Sequence, residues 1–152
     1  MMNPKPARGQ TGARYRGLLI IWGAQFFSLI ILSTLTRFIK PDEHHDETNT
    51  VIIYLVPPAL LSFAVSFMIK SKQLAAGVRM KRPDVVTAGY VMAFALCEAS
   101  ALIGLFCHYA TADPRAVYFF ALTALGLALH FPRRRYFEEA AGDAPQTFKT
   151  TF

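Results

Sequence analysis

Glu98 stands in the middle of an apolar stretch, 85–108, that is long enough to cross a membrane. A carboxyl at that depth costs roughly 2.5–3.5 kcal/mol on insertion scales, so it needs a hydrogen-bond partner, a proton or an ion. Burial disfavours the charged form. That suits two roles: a neutral hydrogen bond between helices, or reversible binding of a proton or sodium ion. Gln25, Tyr54, Ser62, Ser66 and Thr123 are polar residues of the other apolar stretches that could meet it. No stretch carries lysine or arginine at depth, so a counter-cation would have to come from another chain.

The other reactive residue types make weaker patterns. Asp42, Glu43, His44, His45, Asp46 and Glu47 could ligate a divalent cation. A closed zinc site, however, needs four ligands held tetrahedrally, and adjacent histidines on a loop do not supply that. A solvated loop is expected, with no metal and no cofactor. His108 and His130 lie near opposite ends of their stretches and read as interfacial residues on opposite sides. Cys97 and Cys107 share one stretch. Their separation of about 15 Å along a helix excludes a disulfide, and both read as small buried hydrophobes. The chain has no phosphate-binding glycine loop, no Gly-x-Ser-x-Gly and no His-Glu-x-x-His. An enzyme is not expected.

These residues must be positioned by long apolar helices. Hydrophobic residues make up 53% of the 152-residue chain and charged residues only 17%, against about 25% in an ordinary soluble domain. Four runs, 17–38, 51–70, 85–108 and 116–131, are candidate spans. A hydrocarbon core about 30 Å thick needs roughly 17–25 helical residues, so three fit well and the fourth is short. The expected fold is an all-α membrane protein: four transmembrane helices arranged as two helical hairpins in a bundle. One domain, 15–137, lies between a disordered basic tail, 1–14, and a flexible tail, 138–152. Pro57 and Pro58 should kink the second helix. The short 111–114 link makes the third and fourth helices the expected tightest pair.

The net charge of +6 is placed for topology rather than for nucleic acid. Basic residues crowd the N-terminal tail, the 70–82 connection and the Arg133-Arg134-Arg135 run, whereas 42–47 is acidic. The positive-inside rule then places both termini in the cytoplasm of a multi-pass inner-membrane protein. The basic segments face membrane lipids and can attract anionic headgroups. Small residues at four-residue spacing, among them Ala95 with Ala99 and Ser100 with Gly104, mark faces where helix backbones can approach closely.

Around Glu98 the chain reads Phe94-Ala95 before it, Ala99 after it and Gly104-Leu105 further on, preceded by Lys81-Arg82-Pro83-Asp84. This pattern resembles the carboxylate-bearing helix of the rotary ATPase proteolipid family, the membrane subunit c. The resemblance covers about 30 residues and implies an ion-binding role for Glu98. The second stretch departs from the family pattern, because 52–69 has no glycine where regularly spaced glycines pack a ring. The leading expectation is therefore a small non-catalytic membrane protein, an accessory or structural subunit of a larger assembly or homo-oligomer. The alternative is a proton- or sodium-handling protein that uses Glu98.

Overall fold

A computed structural model of the chain describes residues 8–38, 48–111 and 113–142. Every regular element among them is helical: α1 (Arg8–Phe38), α2 (Thr48–Arg79), α3 (Pro83–Thr111), a short 3-10 turn at Pro114–Ala116, α4 (Val117–Leu129) and α5 (Arg134–Ala141). The acidic 42–47 loop, with His44 and His45, lies outside the described residues. α1 starts at Arg8, so half of the tail expected to be disordered is helical, and α5 likewise reaches into the 138–152 tail.

Three helices are long and apolar enough to cross a membrane, with a fourth if α4 and α5 are counted as one bent span. This suits a multi-pass membrane protein. The outer faces agree: Ile20 is 72% exposed, Phe27 65% and Leu61 64%, a cost that a lipid surround removes. α4 has 13 residues, about 20 Å of helix, which falls short of a hydrocarbon core by itself. It is followed by α5 at a bend of 45°. Pro132 accounts for the break, because the residue before a proline is pushed out of helical geometry. α2 is helical throughout, Pro57 and Pro58 included.

α3 is the central element. Its most extensive interface is with α2, ahead of those with α4 and α1. The expectation that the third and fourth helices pair most closely is therefore corrected. So is the expected pairing of the first two helices. Among the described residues α1 packs on α3, α4 and α5 and makes no comparable interface with α2. Two sequence features explain α3's position. Ala93, Cys97 and Ala101 repeat every four residues and are fully buried, so neighbours can close on that face. Gly104 then meets α4: a Cβ there would lie 2.6 Å from the Phe119 Cβ, and only glycine permits that approach.

The α3–α4 link is closed by Asp113, which caps the 3-10 turn. It accepts from the Arg115 backbone N–H at 2.8 Å and pairs with the Arg115 guanidinium at 2.6 Å. Those hydrogen bonds from Arg115 hold the Asp113 carboxyl below the usual carboxylate range.

Candidate functional site

Glu98 is half-buried on α3 and faces α1. The Ser28 hydroxyl donates to its Oε1 at 3.0 Å. None of the five partners expected from sequence fills that role. Ser62 and Thr123 bond to backbone and side-chain groups of α2, α3 and α4, Ser66 engages His130, and Tyr54 is 74% exposed. The helix anticipated through Gln25 is nevertheless the correct one. Gln25 lies three residues before Ser28, and therefore on the same face of α1. Its Oε1 is buried without a hydrogen-bond partner. Glu98 and Ser28 meet across the α1–α3 contact, and Gln25 lies one turn along α1 from Ser28.

A second polar cluster escaped the sequence reading. His130 sits in the break after α4 and is fully buried within the protein. Its Nε2 lies 2.8 Å from Ser66 Oγ and its Nδ1 lies 3.2 Å from Lys70 Nζ, both on α2. Ser66 donates to the Phe63 carbonyl at 2.6 Å, and the Cys97 thiol approaches the Ser66 oxygen at 3.7 Å. Lys70 also donates to the Leu129 carbonyl at 3.3 Å, capping the end of α4. Its ammonium lies 5.1 Å from the Tyr90 ring centroid, within cation–π range.

One proton assignment satisfies every contact in this cluster. Ser66 spends its only proton on Phe63, so His130 must donate from Nε2. Nδ1 is then the acceptor that a charged Lys70 requires. This order matters chemically. A serine nucleophile needs a histidine that accepts its proton, with an acceptor on the far ring nitrogen. Here the histidine donates to the serine, and a cation occupies the far nitrogen. The arrangement holds helices; it does not activate Ser66. Its one sequence signal was the alignment of Ser66 and Lys70 one helical turn apart, facing a histidine beside Pro132.

The expected packing residues divide. Gly104 and Ser100 are buried at interfaces, the latter donating to the Ala59 carbonyl of α2 at 3.2 Å. Ala99 is partly buried, whereas Ala95 lies on an exposed face. The face offset from it, through Ala93 and Cys97, is the one used. Gly126 of α4 meets this face so closely that a Cβ would come within 2.7 Å of Cys97 Sγ. Both cysteines are free and buried, as their spacing required. Thr123 donates to the Cys97 carbonyl at 3.0 Å, and Trp22 Nε1 donates to the Leu127 carbonyl at 2.8 Å, joining α1 to α4. No group of His, Cys, Asp and Glu that could hold a metal is found among the described residues.

Comparison with protein-family models, with curated proteins and with solved structures returns no match.

Proposed function

We propose that this chain is a non-catalytic, multi-pass protein of the inner membrane, built as a four-crossing helical bundle with both termini cytoplasmic. It serves as an accessory or structural subunit of a larger membrane assembly. The Ser28–Glu98 hydrogen bond carries this reading, because it spends the one carboxyl at membrane depth on tying α1 to α3. The direction of the Ser66–His130 contact supports it, since a serine that accepts from histidine is not a nucleophile. The distribution of lysine and arginine supports the orientation.

A second reading rests on a different observation. Gln25 Oε1 is a buried acceptor without a donor, one turn from the residue that meets Glu98. A protonated carboxyl could satisfy such an acceptor, as could a hard cation held by oxygen ligands. This is the ion-handling role that resemblance to the proteolipid helix implies.

Reaction of Glu98 with a hydrophobic carbodiimide in native membranes separates the two. The structural reading expects slow labelling that does not respond to pH, and normal assembly of Glu98→Gln. Fast labelling that accelerates as pH falls, with loss of function but normal assembly in Glu98→Gln, would overturn it in favour of ion handling.

A further inference from the structure

A groove of about 530 Å³ opens between the end of α2 and α5, a volume in the range of small-molecule sites. Leu74 and Tyr136 form part of its apolar wall, and Lys70, Ser71, Arg79 and Glu139 supply its polar groups. Lys70 is already oriented by His130 Nδ1 and the Leu129 carbonyl. An ammonium has three donors, so one remains for a ligand. Arg79 stands nine residues further along α2, about 13 Å by helical rise. Among the described residues, neither Arg79 nor Glu139 has an ion-pair partner.

Depth decides the class of ligand. The apolar run of α2 ends at Lys70, and the 32-residue helix continues to Arg79. At about 48 Å it outruns a hydrocarbon core of about 30 Å. The groove therefore begins where acyl chains give way to headgroups, and it carries two cations against one anion. Glu139 would repel a second negative charge, so a phosphodiester fits better than a dianionic phosphomonoester. Its carboxylate and the Ser71 hydroxyl can accept hydrogen bonds from a hydroxylated headgroup.

We propose that the α2–α5 groove is a binding site for an anionic phospholipid with a hydroxyl-bearing headgroup, its phosphate held by Lys70 and its headgroup lying toward Arg79, whose charge adds to the attraction from the far end of the groove. The site rests on the membrane reading and is independent of Glu98. It differs from diffuse attraction to basic loops, because the two cations flank one apolar-walled cavity.

The test uses the full chain in nanodiscs of phosphatidylcholine doped with phosphatidylglycerol, with retained lipid counted by native mass spectrometry. At about fivefold per cation near the surface, the expected preference for phosphatidylglycerol is about 25-fold. Arg79→Gln replaces an exposed side chain and is expected to cut the preference about fivefold. Lys70→Gln with Arg79→Gln is expected to abolish it. Lys72→Gln with Lys81→Gln removes two exposed cations outside the groove and is expected to leave it unchanged. An equal loss in the Lys72/Lys81 pair, or no preference in the parent chain, would overturn the site. Displacement of the lipid by soluble glycerophosphoglycerol, a phosphodiester with the same headgroup, would overturn the lipid assignment. Failure to enter a bilayer would overturn both the site and the membrane reading.

Discussion

Two of the polar contacts around α3 are built differently. The α1–α3 contact rests on a half-buried carboxyl and one serine, with an orphaned glutamine oxygen one turn away on α1. The α2–α3–α4 junction encloses Ser66, His130 and Cys97 with a donor for each acceptor. A matched buried network resists change, because removing one member leaves the others unpaired. A half-satisfied contact has fewer partners to strand. The junction is thus the mechanical centre of the bundle, and the Glu98 contact is its adjustable edge.

The largest expected effect is at His130. His130→Ala should cost about 3 kcal/mol, because it opens a cavity and strips partners from Ser66 and Lys70. Thermal unfolding in nanodiscs would measure this; a loss no larger than that at Glu98 would break the comparison. Next is Lys70→Met, which leaves His130 Nδ1 buried without a donor and should cost about 2 kcal/mol. Lys70→Arg, keeping a donor, should recover part of that loss in the same assay.

A smaller effect is expected at the other end of the α3–α4 pair. Asp113→Asn keeps a capping oxygen but loses the charge that pairs with Arg115, and should cost under about 1 kcal/mol at neutral pH. The pH dependence has a definite sign. The Asp113 carboxyl is held below its ordinary range, so the contribution is complete above about pH 4. It is lost as pH falls through the lowered native value. Melting temperatures of the two chains should converge in acid; a gap that widens there would refute the assignment.

The smallest effect is expected at Glu98. Glu98→Ala should cost about 0.6 kcal/mol, the average measured for hydrogen bonds between helices in membranes, and Glu98→Gln less. A reversible unfolding titration would resolve the difference. A cost above that of Lys70→Met would make the α1–α3 contact the stronger and reverse the comparison.

Much of this molecule was legible in its sequence, and the legible part has a common physical basis. Long apolar runs with few charges can only be helices when backbone groups must be satisfied without water, and three of the four runs became helices of spanning length. The ten-residue spacing of Cys97 and Cys107 forbade a disulfide whatever the packing. The exceptional depth of Glu98 was equally visible. Its partner was not, because Ser28 and Gln25 lie on the same face of α1 and only the rotation of α1 against α3 selects between them.

What the tertiary structure alone decided is which helices meet. Sequence separation favours neighbours in the chain, yet α1 passes over α2 to pack on α3 and α4. That choice depends on the shape of side chains on facing surfaces, which periodicity does not encode. The same holds for His130, where Pro132 predicts a break but not what the break faces. Bringing α2 alongside it buried the histidine, because Ser66 and Lys70 met both its ring nitrogens. Local composition sets what each segment can be; the hydrogen-bonding needs of buried groups settle how the segments fit.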